Sequence, residues 1–257
     1  MSLNKEKKRI GIIGGSGIYE ITKNETNIDT KTVLTPYGDS VDVSLFKIDD
    51  KDIAFIPRHK VGHKVPPHKI NYRANIYALK QLGVNQIIAT NAVGSIKMDI
   101  SPGSLVLPDD FIDLSYKRER TFYDDEVIHT DFTQPYCNRL REIISKQGNL
   151  INSGVYVCIE GPRFETPSEI KMFQKIGGDL VGMTGLPEVV LARERGICYS
   201  SICIVSNYAT SLSENELTID EVYEIMELKK TEIIEIIFKS IENMPIDYDC
   251  SCLHSIK

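Results

Sequence analysis

Two segments carry side chains whose types and spacing suit one piece of chemistry: Gly161-Pro162-Arg163-Phe164-Glu165-Thr166 and Val205-Ser206-Asn207-Tyr208-Ala209. Each sets a polar side chain, the carboxylate of Glu165 or the amide of Asn207, next to an aromatic ring. A carboxylate only accepts hydrogen bonds, whereas an amide NH2 donates them. Together they match a planar ring that shows an N–H beside a C=O, with Phe164 and Tyr208 available to stack on its faces. A 6-oxopurine such as hypoxanthine or guanine presents that edge, and adenine presents the reverse polarity. The residues therefore point to an enzyme that handles a 6-oxopurine.

A second set of residues suits an anion. Ile12-Ile13-Gly14-Gly15-Ser16-Gly17-Ile18-Tyr19 runs from an apolar strand into glycines, where backbone N–H groups can approach an anion and Ser16 adds a hydroxyl. Glycines at 14, 16 and 19 would be needed for a dinucleotide fingerprint, and Ser16 and Tyr19 fill two of these places; no Walker lysine follows. Taken alone, the segment reads equally well as a tight structural turn. Pro57-Arg58-His59 ends another strand with a guanidinium, whose fork bonds two oxygens at once, although a lone Arg is more often a salt-bridge partner. Ser16, Arg58, His59, the Ala92 backbone and Thr184 together would ring one inorganic phosphate if four strand ends converge. There is no nucleophile elbow, no Cys-His signature, no zinc-protease motif and no carboxylate pair on a helix face. The nucleophile is then expected to be a bound ligand.

The elements that must position these residues are legible in outline. Strands are expected over 9–13, 52–57, 86–90, 104–108, 155–159, 179–183 and 198–205, and helices over 75–82, 167–176, 188–195 and 218–241. Asn91-Ala92-Val93-Gly94-Ser95 reads as the loop after the third strand. Strands alternating with helices predict an α/β fold with a mixed, mostly parallel central sheet flanked by helices, in which ligands bind beyond the strands' carboxyl ends. The 257 residues read as a single domain, with a core over about 10–241 and polar tails. A net charge of −6 argues against a nucleic-acid partner, which needs a basic patch. The apolar run 10–13 is too short for a signal segment and nothing approaches the roughly 20 apolar residues of a membrane span, so no membrane partner and a cytoplasmic location are expected.

Six cysteines are unusual for such a protein. Cys158, Cys198 and Cys203 lie in apolar runs and read as small core residues. Cys250-Ser251-Cys252 reads as a disulfide, half a metal site or two free thiols. With no cluster of zinc-ligand spacing beside it, no metal is expected.

Four long runs give the chain a resemblance to the trimer-forming purine nucleoside phosphorylase and methylthioadenosine phosphorylase family: Ile12–Gly17, Pro67-His68-Lys69-Ile70-Asn71-Tyr72-Arg73-Ala74-Asn75, Ile159-Glu160-Gly161-Pro162-Arg163-Phe164, and Val181-Gly182-Met183-Thr184 before Pro187-Glu188. The resemblance covers about 10–241. It implies the nucleoside phosphorylase fold, a phosphate site of Ser16, Arg58, His59, Ala92 and Thr184, Met183 against the ribose, and Phe164 stacked on the base. It implies that the Asn207 loop, with Tyr208 and Ala209, recognises the base edge, and that His129 reaches a neighbouring site in a homotrimer or dimer of trimers. Inorganic phosphate would be a co-substrate, with no metal or organic cofactor. Glu165, and Asn207-Tyr208-Ala209 in place of an Asp-x-Asp pair, resemble the 6-oxopurine branch. Ile219 resembles the methylthio branch, whose residue at this place is apolar.

The implied reaction is phosphorolysis of inosine or guanosine to free base and ribose 1-phosphate, with Arg58, His59 and Asn207 as the catalytic residues and 5′-methylthioinosine as a coherent hybrid substrate. The alternatives are a methylthioadenosine phosphorylase and a nucleoside-binding protein without catalysis. The family's Arg-His-Gly-Arg is Arg58-His59-Lys60-Val61 here, so one basic residue is displaced. Thermophilic relatives form disulfides at the positions of Cys137, Cys198 and Cys203, and Cys250-Ser251-Cys252 resembles their C-terminal pair. The resemblance thus implies a Cys137–Cys203 bridge, against six reduced thiols.

Overall fold

The computed structural model describes residues 8–15, 18–22, 27–213 and 218–255. Its strands are β1 (Arg9–Gly14), β2 (Asp29–Leu34), β3 (Ser40–Ile48), β4 (Lys51–Pro57), β5 (Val84–Ser95), β6 (Leu105–Val106), β7 (Asp110–Asp113), β8 (Val155–Cys158), β9 (Leu180–Gly182) and β10 (Cys198–Tyr208). The helices are α1 (Tyr72–Gln81), α2 (Asn138–Ser145), α3 (Pro167–Lys175), α4 (Glu188–Glu194) and α5 (Ile219–Asn243). All ten strands share one sheet, in the order β2-β3-β4-β1-β5-β9-β8-β7, with β10 paired to β5 and β6.

Five strand pairings are parallel (β1–β4, β1–β5, β5–β10, β7–β8 and β8–β9). The β2–β3–β4 meander and the pairs β5–β9 and β6–β10 are antiparallel. The mixed α/β sheet expected from the sequence is thus present. Strands β2, β3 and β7 and helix α2 add to the expected elements.

Successive side chains of a strand point to opposite faces, and the apolar residues divide accordingly. Ile13, Ala54, Ile56, Ile87 and Ala89 pack with α1 and α4 on one face. Ile10, Ile12, Ile53, Phe55 and Ile88 pack with α2 and α5 on the other. Helix starts are fixed by side chains that satisfy otherwise unpaired N–H groups. Asn71 accepts from the Ala74 N–H, Thr218 accepts from the Glu221 N–H, and Thr166 and Glu169 form a reciprocal capping box directly after the Glu165 segment. No helix among the described residues is long and apolar enough to cross a membrane.

Strand alternation corrects the implied Cys137–Cys203 bridge. Cys198 and Cys203 are five residues apart on β10 and so face opposite sides. Cys203 is buried on the α1/α4 face, whereas Cys137 and Cys198 are buried on the α2/α5 face. All six cysteines are free thiols in the structure.

Candidate active site

The strands β1, β4, β5 and β10 run parallel, and their carboxyl ends open into one cavity. Gly15, Arg58, His59, Ala92, Phe164, Glu165, Met183, Thr184, Asn207 and Ile219 all line it. Of the residues expected in a site, Ser16 lies outside the described residues. Tyr208, Ala209 and His129 are not on the wall.

At one end the donors suit an anion. Arg58 is buried, and its Nε and Nη2 each donate to a carboxylate oxygen of Glu188 at 2.7 Å, while Nη1 donates to the Thr90 carbonyl at 2.7 Å. Burial works against the guanidinium charge, but the Glu188 carboxylate outweighs it and holds the pKa above its ordinary value. Three of the five N–H groups are then spent and two remain for a ligand. The Tyr199 hydroxyl donates to the same carboxylate at 2.8 Å and fixes it further. A Cβ on Gly15 would sit 2.7 Å from the Thr90 carbonyl oxygen and 3.1 Å from Arg58 Nη1, so only glycine lets β1 end this close to the guanidinium.

Thr184 is aimed by a relay. The Ser201 hydroxyl donates to Asn91 Oδ1, and Asn91 Nδ2 donates to Thr184 Oγ1 at 2.7 Å. Because that oxygen is already an acceptor, the Thr184 hydroxyl proton is left to donate elsewhere. His59 is fixed by its Nδ1 donating to the Val65 carbonyl at 2.8 Å, since a carbonyl can only accept. Burial, with Arg58 and His63 nearby, pushes its pKa down to about 4. At neutral pH the imidazole is uncharged, with Nε2 as an acceptor. It suits a protonated oxygen of an anion rather than acting as a second cation.

The other end suits a planar polar edge. Asn207 stands opposite Gly94 of β5, and Gly94 opposite Val181 of β9. The register slips between Val205 and Asn207, and this irregularity turns both Ser206 and Asn207 to the cavity. The Ser206 hydroxyl donates to Asn207 Oδ1 at 2.6 Å, and Asn207 Nδ2 donates to the Tyr208 carbonyl at 2.8 Å. One N–H of the amide remains, and its orientation is set. A Cβ on Gly94 would lie 3.1 Å from Nδ2, so this glycine makes room for the amide. Glu165 is buried, and desolvation raises its pKa, opposed by a bond from its own backbone N–H. Phe164 is 37% exposed, an apolar ring open to a stacking partner.

The expected two-ring sandwich is not formed. The Tyr208 hydroxyl donates to the Met98 carbonyl at 3.3 Å, and Ala209 is packed in a small core with Val181 and Phe173. Both leave the wall because they follow Asn207 as the strand ends. His129 is exposed and away from this cavity. Three lining or supporting residues went unpredicted. His63 stacks on His59 with ring centroids 4.1 Å apart, on a turn where Lys60, Gly62 and His63 all have positive φ. Glu188 and Asn91 support Arg58 and Thr184 from 130 and 93 residues away, a proximity that spacing does not reveal.

A model of the phosphorylase superfamily matches residues 9–242. A probable S-methyl-5′-thioinosine phosphorylase of Methanothermobacter thermautotrophicus is 54% identical over 248 residues, covering 96% of this chain and 89% of that protein. A 6-oxopurine nucleoside phosphorylase of Pyrococcus furiosus is 46% identical over 262 residues, covering 97% of this chain and 98% of that one. Among solved structures, the methylthioadenosine phosphorylase of Schistosoma mansoni in complex with adenine superposes with a TM-score of 0.88 at 32% identity, covering 96% of both chains. The chain belongs to the phosphorylase superfamily. Within it, the chain stands with the purine nucleoside phosphorylases, which are pentosyltransferases.

Proposed function

We propose that this chain cleaves 6-oxopurine nucleosides with inorganic phosphate, releasing the free base and ribose 1-phosphate, and that it accepts a 5′-methylthio group on the sugar. The observation that carries this reading is the pairing of a buried acceptor, Glu165, with an oriented donor, Asn207, in the cavity that also holds Arg58 and Thr184. Phosphate would bond the two spare N–H groups of Arg58, the Thr184 hydroxyl and His59 Nε2, and attack the anomeric carbon as the base departs. Its charge stabilises the oxocarbenium-like sugar, while Asn207 donates to O6 as negative charge builds on the leaving purine. No metal or organic cofactor enters this chemistry. The relatives named for thioinosine and for 6-oxopurine nucleosides support the base preference. In this reading the chain acts in the cytoplasm as a homotrimer or dimer of trimers, in which the exposed His129 serves a neighbouring site.

The Schistosoma structures holding adenine or methylthioadenosine favour a second reading, a methylthioadenosine phosphorylase. Phosphate-dependent release of base from inosine, guanosine, adenosine, methylthioinosine and methylthioadenosine separates the two. Faster turnover of the adenine nucleosides would overturn the 6-oxopurine assignment.

Two further results are expected. Removing Arg58 alone leaves the Glu188 carboxylate buried and unpaired, at about 3–5 kcal/mol of stability. Arg58→Met should therefore be paired with Glu188→Gln. A charge-assisted hydrogen bond contributes roughly 1.5–3 kcal/mol, so the KM for phosphate should rise about 10- to 150-fold in the double variant. The KM for nucleoside should change far less. Steady-state kinetics with each substrate varied in turn checks this, and the reverse pattern would remove Arg58 from the phosphate site.

Glu165 sets the acid limb. Its carboxylate must be ionised to accept from the purine N1–H, and burial raises its pKa. As pH falls through that raised value the acceptor is lost, so kcat/KM for inosine should fall at a pH above the ordinary glutamate range. Glu165→Gln should have a lower plateau and lack that limb. An unchanged pH profile in the variant would show that Glu165 does not contact the base.

A further inference from the structure

On the α2/α5 face of the sheet, far from the cavity, four cysteines meet. The Sγ atoms of Cys137, Cys198, Cys250 and Cys252 all lie within 4.8 Å of one another. Three of the residues are buried and Cys250 is half-buried. They come from three separate places: Cys137 immediately precedes α2, Cys198 opens β10, and in the C-terminal segment Cys250 precedes a short 3-10 turn that contains Cys252. A backbone link holds the first pair together: the Cys137 N–H donates to the carbonyl of Tyr199, beside Cys198.

We propose that these four side chains form a structural tetrathiolate site for zinc. Zinc–thiolate bonds of about 2.3 Å in a tetrahedron put the sulfurs about 3.8 Å apart. The Cys137 and Cys250 sulfurs are 3.7 Å apart, and the other pairs need only close within the 4.8 Å limit. The surroundings are built for negative charge. Arg193 is buried, and its Nη1 points at Cys252 Sγ at 2.7 Å; its other bonds go to the carbonyls of Asp131 and Gln134, not to a carboxylate. Arg139, two residues after Cys137, lies over the Tyr248 ring at 3.8 Å and keeps Nε and Nη1 buried without a hydrogen-bond partner. A buried guanidinium needs an anion nearby. Four neutral thiols offer none, whereas zinc with four thiolates carries a charge of −2.

Binding is balanced as Zn2+ plus four thiols giving the tetrathiolate and four protons, with no oxidant required. The metal would tie the C-terminal segment to α2 and to the first residue of β10. Asn207 lies nine residues further along that strand, about 30 Å away at strand rise. The site would therefore act on stability and leave the chemistry alone.

The full chain, expressed with zinc in the medium and purified with reductant and without chelator, should hold about one zinc per chain by elemental analysis. Exchange with cobalt(II) alone should give the visible bands and the sulfur-to-cobalt charge-transfer band of a tetrahedral tetrathiolate. Cys250→Ser with Cys252→Ser should abolish both signals, and Cys203→Ser, on the opposite face, should keep both. Chelation should lower Tm without changing turnover below the new Tm. A metal-free wild-type protein with six titratable thiols and no cobalt spectrum would overturn the proposal. So would a mass short of two hydrogens per bridge, showing that the cluster is oxidised to disulfides, or loss of metal in the Cys203→Ser variant, which keeps all four proposed ligands.

Discussion

Asn207→Asp is expected to cut kcat/KM for inosine by roughly 10²- to 10³-fold, the loss typical of removing one donor to a developing negative charge. The substitution is nearly isosteric, and its surroundings predict how it would sit. Ser206 would still donate to one oxygen at position 207. The other oxygen would face the Tyr208 carbonyl, which loses its donor, and the purine O6, which now meets an acceptor. A 6-amino group would instead find a partner, so activity on adenosine should rise from its low starting value. The two substrates together make the test sharp. A misfolded variant loses both, whereas a reversed base edge moves them in opposite directions. Unchanged inosine kinetics would show that Asn207 does not touch the base, and the 6-oxopurine reading would fall with it.

That Glu165 and Asn207 belong together was legible in the sequence from two polar side chains set beside aromatic rings at strand ends, and the fold brings both to one cavity. Arg58-His59 stood out as a cation and an imidazole at a strand end, and Arg58 proves to be a buried salt-bridge partner of Glu188 as well as a lining residue of the cavity. Residues that act through those groups were not legible. Glu188 reads as an ordinary first-turn carboxylate of α4, and only the fold shows that it neutralises Arg58 from 130 residues away. Asn91 reads as a loop residue because it is polar, yet it lies inside β5, fully paired to Ser201 and Thr184. The buried polar pairing is what lets β5 continue to Ser95 through a stretch that propensity alone would end. Strand β2 was missed for a different reason: it is exposed on nearly its whole length, so its side chains carry no alternation to read. The cysteines held a usable signal. A spacing of five along β10 already separates Cys198 from Cys203, but that Cys250 and Cys252 return to Cys198 is a tertiary fact.

At the sugar's 5′ end, methylthioinosine is expected to exceed inosine in kcat/KM by about ten- to a few-hundred-fold. Ile219 begins α5, is 51% exposed, and lines the cavity together with the buried Val222. Burying a methyl-sized group on it contributes about 0.8 kcal/mol. A 5′-hydroxyl left without a partner at the same place costs about 1–3 kcal/mol. The two effects act in the same direction and set the expected ratio. A polar side chain of the same cavity works against it. His63 also lines the cavity, and its ring meets Tyr223, one helical turn beyond Ile219, at 6.5 Å in an edge-to-face contact. Burial holds the His63 pKa down, so at neutral pH it is an uncharged imidazole able to bond a hydroxyl. Ile219→His should narrow or reverse the ratio by supplying a hydroxyl partner from α5. His63→Ala should widen it by removing that imidazole from the wall. Equal kcat/KM for the two nucleosides in both the wild-type protein and His63→Ala would show that neither side chain senses the 5′ substituent. The protein would then be a general 6-oxopurine nucleoside phosphorylase, with Ile219 serving only to start its last helix.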